Sequence, residues 1–367
     1  MAISRSLRRT NPITLVLACL LAFGFLFFLF SPSTSETTLP WKGKHNAPAT
    51  NPLSPPTAPF HKQTSKTKAK PPPVVHYPLN NVTTSADPEA NLETILILTP
   101  LARFYQGYWD NLLKLSYPHH LISVGFITPK TREGNFATQQ LQDVVHKTQT
   151  GPEANRFASV TILRQDFSVP VAQDEASRHK LENQKSRRAA MSRARNSLLF
   201  TTLGPSTAWV LWLDADIVET PPSLIQDLAS YNKPIIVPNC FQRFINEQGK
   251  EDLRPYDFNN WQDSVEAAAL AKKMGPEDIL LEGYAELPTY RTLMGGIAEL
   301  EPERDQSTII PLDGVGGTAL MVKAEVHRDG AMFPPFPFYH LIETEGFAKM
   351  AKRLGWQSWG LPNYFVS

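Results

Sequence analysis

The chain has 367 residues, and 42% of them are hydrophobic, which is typical of a folded protein with a sizeable core rather than a disordered one. Its formal net charge of +1 at pH 7 gives no support to a nucleic-acid-binding function. The two cysteines are far apart, and Cys19 lies inside an apolar N-terminal run that excludes Cys240, which argues against an intrachain disulfide.

A basic segment followed by an apolar one opens the chain. Residues 1–11 carry three arginines and no acidic residue, and the run from Ile13 to Phe30 is apolar except for one threonine. This run is long enough to span a bilayer and is longer than the apolar part of most cleaved signal peptides, the alternative interpretation. Because basic residues favour the cytosolic side, we expect a cytosolic tail at 1–11, a signal anchor at 12–31 and a lumenal remainder.

Residues 32–92 have the composition of an extended stem. They contain twelve prolines among Ser, Thr, Lys and Asn, and they show no hydrophobic periodicity. Such a segment cannot bury a core. The stem holds the only N-glycosylation sequon of the chain, Asn81-Val82-Thr83, where a lumenal, exposed position would permit modification.

From Glu93 onward, apolar runs alternate with stretches that have helical spacing. The predicted strands are Thr94–Leu98, Leu121–Thr128, Ala158–Leu163, Trp209–Leu213, Pro234–Pro238 and Thr318–Val322. The predicted helices are Tyr105–Leu115, Phe136–Thr148, Asp174–Leu203, a helix capped by Thr220 with Pro221 in its first turn, Ser264–Lys273 and Glu343–Leu354. This alternation predicts one α/β domain over residues 93–367, with a mainly parallel sheet and helices on both faces.

Two carboxylates follow the apolar strand Trp209–Leu213. Asp214 and Asp216 are separated by one alanine, a spacing that would point them to opposite sides of a regular strand. Where the strand ends and the chain turns, both can reach one cation, and ligands of open parallel sheets bind at that edge. Hard oxygen ligands suit Mn²⁺ or Mg²⁺, which would neutralise a diphosphate leaving group.

The same residues allow two other interpretations. Asp214 can cap a turn while Asp216 is simply solvated. The pattern Asp-x-Asp-x-Val also matches the nucleophile motif of haloacid-dehalogenase-type phosphatases, in which Asp214 would form a covalent intermediate. That motif usually opens its domain, whereas here a long folded segment precedes it.

A basic helix precedes the carboxylate pair. It carries Lys185, Arg187, Arg188, Arg193 and Arg195, and it places Arg187 and Arg195 on one broad face. Guanidinium groups suit bidentate contact with phosphate or with the edge of a base, so these two arginines are candidate ligand-binding residues. A solvated basic face is the alternative.

Downstream segments supply further candidates. The run Asp257-Phe-Asn259-Asn260-Trp261 combines hydrogen-bonding groups with aromatics, a composition suited to holding a sugar. The run Asp313-Gly-Val-Gly-Gly-Thr318 is a glycine-rich turn into a strand, which would allow close approach of the backbone to a ligand. Both can equally be tight surface turns. His327 and His340 are possible metal ligands, although isolated histidines are more often structural.

Taken together, these segments resemble the fungal mannan polymerase mannosyltransferases. The runs that carry the resemblance are Gln184-Lys-Ser-Arg-Arg188, Ala194-Arg-Asn196, Leu213-Asp-Ala-Asp216, Glu219-Thr-Pro-Pro-Ser-Leu224, Asp313-Gly-Val-Gly-Gly317 and Tyr339-His-Leu-Ile-Glu-Thr-Glu-Gly-Phe-Ala-Lys-Met350. The resemblance extends from about Glu93 to the end, and the predicted anchor and stem match the type II Golgi plan of that family.

The resemblance implies a GT-A glycosyltransferase fold, GDP-mannose as the donor and Mn²⁺ as the cofactor. It implies α-1,6-mannosyl transfer to an N-glycan mannan backbone, with retention at the anomeric carbon, by homologous subunits assembled in a Golgi complex. Asp214 and Asp216 would serve the metal and the diphosphate, Arg187 would contact the donor, and Asp257 would line the sugar or acceptor site. The residue patterns add Arg195, Asn259 and Asp313 as candidate donor-binding residues.

One departure from the family concerns the end of this sequence. The family pattern continues past Ser367 into a short tail whose first residue is usually a metal-ligating histidine. Either this sequence is truncated, or water or His340 takes the place of that ligand. A donor-binding subunit that contributes little catalysis is therefore the main alternative to an active mannosyltransferase, and a phosphatase is the third.

Overall fold

The computed structural model describes residues 74–166, 181–284, 287–299 and 304–367. Apart from Val74, these residues belong to one compact unit, Val75–Ser367. The expected anchor at 12–31 and most of the expected stem lie outside the described residues. Within the described ranges, no helix is both long enough and apolar enough to cross a membrane.

The described residues form the following elements. The strands are β1 (Thr94–Pro100), β2 (Ile122–Thr128), β3 (Ser159–Arg164), β4 (Thr207–Leu213), β5 (Ile235–Ile245), β6 (Glu251–Pro255), β7 (Trp261–Gln262), β8 (Thr292–Leu293), β9 (Ile310–Leu312), β10 (Ala319–Lys323) and β11 (Ser358–Val366). The helices are α1 (Gln106–Lys114), α2 (Arg132–Thr150), α3 (Leu181–Thr202), α4 (Leu224–Ser230), α5 (Val265–Ala271), α6 (Met294–Ile297), α7 (Ala324–Arg328) and α8 (Glu343–Arg353).

One large sheet organises the domain, in the order β3-β2-β1-β4-β10-β5-β11-β9, with β6 paired to β5. Strands β3, β2, β1 and β4 are parallel, as the alternation of strands and helices predicts. Strand β10 then runs antiparallel to both β4 and β5. The α/β prediction is confirmed, but the sheet is mixed rather than mainly parallel, because β10 is entered through a glycine-rich turn instead of a crossover helix.

Strand periodicity divides the core between the two faces of the sheet. Along β1, Ile95 and Ile97 pack on one face, and Leu96 and Leu98 pack on the other. Helices α1, α2 and α4 cover the first face, and α3, α7 and α8 cover the second. The central strands are therefore buried on both sides, which explains why their sequences are continuously apolar.

The start of α4 differs from the prediction. The helix begins at Leu224 instead of Thr220-Pro221, and its N-cap residue, Ser223, bonds the Asp227 carboxylate at 2.7 Å rather than a backbone N–H. Thr220 does not cap the helix, because its backbone N–H and its hydroxyl both donate to Asn111 Oδ1 at 3.1 Å. A tertiary contact thus replaces the local cap.

A buried and an exposed phenylalanine, each on a helix, allow a test of which side of a helix contributes packing energy to the fold. Phe347 on α8 is 0% exposed and stacks on Phe333 with ring centroids 5.1 Å apart, whereas Phe136 on α2 is 64% exposed. We expect Phe347→Ala to lower the free energy of unfolding by about 3–5 kcal/mol. Phe136→Ala should change it by less than about 0.5 kcal/mol. Equilibrium urea unfolding measures both, and equal effects would contradict this packing.

Candidate active site

A cleft of about 560 Å³ opens at the carboxyl end of β4. Its walls come from α3, from the β5–β6 hairpin with the segment that follows it, from residues 282–284, from the glycine-rich turn and from the start of α8. The lining residues are Gln184, Arg187, Arg188, Met191, Arg195, Asp214, Gln242, Arg254, Pro255, Tyr256, Asp257, Phe258, Asn259, Glu282, Gly283, Tyr284, Gly317, Thr318, Glu343 and Thr344.

A smaller cavity of about 200 Å³ adjoins the cleft and shares Met191 and Asp214 with it. Its other lining residues lie at the end of β1 or directly after β1 and β4 in the chain: Pro100, Ala102, Arg103, Tyr105, Ala215 and Asp216. Both cavities thus meet at the carboxyl ends of adjacent parallel strands, which is the usual ligand-binding edge of such sheets.

The carboxylate pair lies beside the junction of these two cavities, with Asp214 lining both and Asp216 lining the smaller one. The backbone N–H of Asp214 donates to Thr318 O at 2.9 Å, which extends the β4–β10 ladder by one residue. The chain then turns, because Ile217 N–H bonds Asp214 O at 3.1 Å. As a result, Asp214 and Asp216 both line the smaller cavity while Ala215 is buried between them.

The loop after Asp216 is fastened to the end of β11. The carbonyl oxygen of Ser367 accepts from Val218 N–H at 2.9 Å and from Glu219 N–H at 2.8 Å, and Ser367 N–H donates to Glu219 O at 3.0 Å. The backbone beyond the carboxylate pair is therefore held on one side by β10 and on the other by the last residue of the chain.

Arg195 is the buried cation of the site. Its side chain is only 4% exposed, and it pairs with Asp214 Oδ1 through Nη2 at 3.0 Å and with Glu343 Oε1 through Nε at 3.3 Å. Its guanidinium lies over Trp212 and Phe333, 5.4 and 5.7 Å from the ring centroids. Its remaining nitrogen, Nη1, is buried without a hydrogen-bond partner among the described residues.

Burial and neighbouring charges perturb Asp214. Desolvation raises its pKa from 3.8 to about 6, Arg195 opposes that shift, and the charges of Asp216 and Glu343 add to it. About a third of the side chain (32%) still reaches the cleft, so the carboxyl remains accessible to a ligand. A carboxylate kept ionised at this cost suits a site that receives a cation.

Tyr256 connects the opposite wall to the carboxylate pair. Its hydroxyl donates to Asp216 Oδ2 at 3.3 Å, and its backbone N–H bonds Cys240 O at 2.9 Å. Burial and the nearby carboxylate of Asp216 raise the pKa of Tyr256 to about 12, so the phenol stays protonated. Tyr256 therefore acts as a hydrogen-bond donor and not as a base.

Asp257 is held at the bottom of the cleft by three hydrogen bonds. Its Oδ1 accepts from the backbone and side-chain amides of Asn259 at 3.0 and 3.1 Å, and its Oδ2 accepts from Thr318 Oγ1 at 2.8 Å. A Cβ on Gly316 would lie 1.6 Å from that Oδ2. Gly316 thus leaves the space that Asp257 occupies.

Two consecutive arginines of the basic helix, Arg187 and Arg188, have different surroundings. Arg187 lines the cleft and is half-buried, with Nη1 at 3.5 Å from Gln184 Oε1. Arg188 is paired with the fully buried carboxylate of Glu345 at 2.7 Å and donates to Asn259 Oδ1 at 3.0 Å. Arg188 therefore joins α3 to α8 and orients Asn259, which lines the cleft.

The structure does not bring Asp313 to either cavity. Its Oδ2 accepts from the backbone N–H of Asp263 at 2.9 Å, and its Oδ1 accepts from Lys352 Nζ at 2.5 Å. Burial alone would raise the pKa of Asp313, but these two donors hold it below the usual value. The prediction that Asp313 binds the donor is not supported by this placement.

The glycines after Asp313 leave space for side chains of the protein, and Gly317 also lines the cleft. An added Cβ would lie 2.3 Å from the Trp261 ring at Gly314 and 2.6 Å from Arg195 Nη2 at Gly317. These contacts explain the glycine-rich sequence by packing around the cleft.

Neither candidate histidine lies among the cleft residues. His327 is buried, donates from Nδ1 to Ala331 O at 2.8 Å and accepts from Trp212 Nε1 at 3.4 Å. Desolvation lowers its pKa to about 4, which keeps it neutral and structural. His340 Nδ1 lies 3.2 Å from Asp278 O. Within the described ranges, no group of three or more His, Cys, Asp or Glu side chains is arranged to hold a metal.

The structure adds cleft residues that the sequence patterns did not single out. The most polar are Gln242, Arg254, Tyr256, Glu282 and Glu343. Glu343 lies inside one of the runs that resemble the mannosyltransferases, at the start of α8, so a signal was present but carried no assigned role. The others come from segments whose sequences have neither helical nor strand periodicity.

The titration of Asp214 can be tested with Asp214→Asn, because asparagine resembles a protonated carboxyl. Since the pKa in the folded protein, about 6, exceeds the unfolded value of 3.8, protonation stabilises the wild type as the pH falls through this window. The unfolding free energy of the variant minus that of the wild type should therefore increase from about pH 4 to about pH 6 and then level off.

Urea unfolding over a pH series measures this difference, and Asp252→Asn, at an exposed position on β6, is the control. A difference that stays constant from about pH 4 to about pH 6, and decreases with rising pH only below about pH 4, would show that the Arg195 ion pair, and not desolvation, sets the pKa of Asp214.

Most of the domain is similar in sequence to known proteins. The profile of the Anp1 family matches residues 73–337. The mannan polymerase complex subunit mnn9 of Schizosaccharomyces pombe is 58% identical over 290 residues, which cover 79% of this chain and 84% of that protein. The mannan polymerase complex subunit MNN9 of Candida albicans is 55% identical over 294 residues, covering 80% and 79%. The mannan polymerase I complex VAN1 subunit of Saccharomyces cerevisiae is 33% identical over 342 residues, covering 80% and 63%.

Solved structures are more distant. The mannosyltransferase PcManGT from Pyrobaculum calidifontis, in complex with GDP-Man and Mn²⁺, has a TM-score of 0.39 and 10% identity, covering 78% of this chain and 59% of that one. GalNAc-T7 with UDP, GalNAc and Mn²⁺ has a TM-score of 0.42 and 12% identity, covering 75% and 44%. Likeness at this level does not bear on substrate or mechanism.

Proposed function

The chain belongs to the Anp1 family, and on that premise we propose that it is a subunit of a fungal mannan polymerase complex. Its domain is a GT-A glycosyltransferase that transfers mannose from GDP-mannose to the α-1,6-mannan backbone of N-glycans. The proposal extends to homologous subunits as partners and to a Golgi membrane location with type II topology, as the sequence resemblance implies.

One observation carries this proposal. Asp214, at the carboxyl end of β4, lines both cavities and is paired with the buried guanidinium of Arg195, and Asp216 lines the smaller cavity beside it. A nucleotide sugar has two unequal parts joined by a negatively charged diphosphate. The diphosphate suits this junction, where carboxylate oxygens can bind a metal ion and the guanidinium of Arg195 supplies a fixed positive charge. The nucleoside would then occupy one adjoining cavity and the sugar the other.

The residues present fit a divalent cation such as Mn²⁺. Asp216 is exposed and Asp214 is accessible, and both offer carboxylate oxygens. Burial raises the pKa of Asp214 even with Arg195 beside it, so a bound cation would favour the ionised form. We propose Asp214 and Asp216 as the protein ligands. When bound, the cation would supply Lewis-acid stabilisation of the diphosphate.

The resemblance also implies a metal-ligating histidine directly after Ser367. The backbone of Ser367 is hydrogen-bonded to Val218 and Glu219, which follow Asp216 closely in the chain. A ligand from that direction would be compatible with this arrangement, and the two aspartates would then not be the whole ligand set.

Two arginines supply positive charge for the donor phosphates. Arg187 is half-buried in the cleft wall, and Arg195 has an unpaired, buried Nη1 that a bound oxygen would satisfy. Arg103 and Tyr105, in the smaller cavity, offer a guanidinium and an aromatic ring suited to the nucleoside. We place Asp257 and Asn259 at the sugar or acceptor end, because both line the larger cleft.

Retention at the anomeric carbon is proposed to follow a front-face course. The bond from the sugar to the diphosphate breaks, the acceptor oxygen bonds the same face, and the acceptor proton passes to the departing diphosphate. Stabilisation of charge on that diphosphate would then be the largest catalytic contribution of the protein. Trapping of a covalent mannosyl–enzyme intermediate would overturn this course.

A second candidate function is donor binding without substantial catalysis within the same complex. It is favoured by the similarity of the chain to several different subunits of mannan polymerase complexes, since homologous subunits of one complex need not all be catalytic. The phosphatase alternative receives no support from the family and is not proposed further.

The carboxylate pair can be tested with Asp216→Ala, assayed with Mn²⁺, GDP-mannose and an α-mannobiose acceptor. We expect mannosyl transfer to fall by about 100-fold or more, since a direct contribution to diphosphate stabilisation is lost. Asp252→Ala, which removes an exposed carboxylate from β6, should leave the rate unchanged.

Three outcomes separate the candidates. Transfer that is lost in Asp216→Ala and kept in Asp252→Ala supports the mannosyltransferase. GDP binding without transfer, even in a chain extended by the family's histidine-containing tail, supports the donor-binding subunit. Release of phosphate from a generic phosphoester without nucleotide binding would contradict both.

A further inference from the structure

The backbone at the start of α8 has an unusual conformation. Glu343, the first residue of the helix, has a φ of 58°, in the left-handed region that residues other than glycine and asparagine seldom adopt. Its backbone N–H donates to Pro334 O at 3.2 Å. A conformation of this kind persists only where the surrounding structure imposes it, and such positions concentrate at functional sites.

The side chain of Glu343 is directed at the cleft. It is 13% exposed, it lines the larger cavity, and its Oε1 accepts from Arg195 Nε at 3.3 Å. Its other oxygen, Oε2, accepts no hydrogen bond from the described residues, and it is not among their buried, unpartnered atoms. One oxygen of the carboxylate is thus committed to Arg195, and the other is available to a ligand in the cleft.

Charge restricts what that ligand can be. A carboxylate repels a diphosphate, so Glu343 would weaken donor binding if it faced the phosphates directly. Arg195 lies between Asp214 and Glu343, with Nη2 on the first and Nε on the second, and separates the phosphate-binding side from Glu343. A cation beside Glu343 would in turn face the guanidinium. A neutral hydrogen-bond donor is the group that fits, and hydroxyl groups of a sugar are such donors.

We propose that Glu343 is a specificity-determining residue that accepts, through Oε2, a hydrogen bond from a hydroxyl group of the transferred mannosyl unit. This inference rests on the proposed function. Arg195 then has a double role, because it balances the charge of Asp214 and fixes the sugar-binding carboxylate on its other side.

The test compares a ligand that has the sugar with one that lacks it. Affinities for GDP-mannose and for GDP are measured by calorimetry with Mn²⁺ present, in the wild type and in Glu343→Gln. We expect GDP affinity to change by less than about twofold and GDP-mannose affinity to fall about tenfold, as for loss of a charged acceptor. Glu325→Gln, in the first turn of α7 and outside the cleft lining, is the matched control.

GDP-mannose analogues that each lack one hydroxyl identify the contact. In the wild type, one analogue should bind about tenfold more weakly than GDP-mannose, and in Glu343→Gln that same deletion should cost about twofold or less. If Glu343→Gln does not fold, Glu343→Asp, which keeps the charge but withdraws it by one methylene group, should show the same selective loss for GDP-mannose.

The outcomes are distinguishable. Wild-type protein that binds neither GDP nor GDP-mannose would overturn the proposed function together with this inference. Wild-type binding of both ligands, with a parallel fall of both affinities in the Glu343 variants or with no change in either, would overturn the role of Glu343 alone and leave the proposed function standing.

Discussion

The site depends on one buried guanidinium. Arg195 projects from α3 and is paired on one side with Asp214, at the end of β4, and on the other with Glu343, at the start of α8. A charge buried to this extent is tolerated only when it is paired, and removing one partner of a buried pair typically costs about 3–5 kcal/mol. Helix α3, the end of β4 and the start of α8, which lies far away in the chain, therefore share one permitted arrangement. Gly317 belongs to the same constraint, because a side chain there would occupy the position of the guanidinium.

The second level of support is a set of buried polar contacts behind the cleft. Arg188 pairs with Glu345, which also accepts from Trp261 Nε1 at 2.9 Å, and Arg291 lies over the Trp261 ring at 3.6 Å from its centroid. These contacts link α3 and α8 to the segments around the paired strands β7 and β8. The cleft thus has walls fixed by charge and hydrogen bonding, over a sheet that is fixed by apolar packing.

The sequence predicted the regular part of this molecule well, and its limits have physical causes. The strands β1 to β4 are apolar because helices cover both faces, so their runs were recognisable, although the ends moved by one or two residues. Strand β11 (Ser358–Val366) was missed because it contains a proline and its pairing with β5 shifts register between Leu361 and Phe365. The short strands β6 to β9 were missed because they are too brief to show a period.

The candidate site was predictable in part for a similar reason. Asp214 and Asp216 follow an apolar strand, a local signal, whereas Tyr256 and Glu343 reach the cleft only through tertiary structure. Asp313 shows the converse: its glycine-rich surroundings suggested a ligand site, but the glycines accommodate neighbouring side chains.

The antiparallel insertion of β10 also has a consequence for how the chain folds. Strands β1 to β4 can pair as soon as residue 213 has left the ribosome, yet the far edge of β4 stays open until β10 is made, more than a hundred residues later. An open apolar edge is prone to pairing with other chains. The carboxylate pair directly follows β4, the strand whose edge stays open until β10 pairs with it. The candidate site is thus completed only after β10 has been made, and a nascent chain stalled before β10 would expose an aggregation-prone partial sheet that lacks the candidate site.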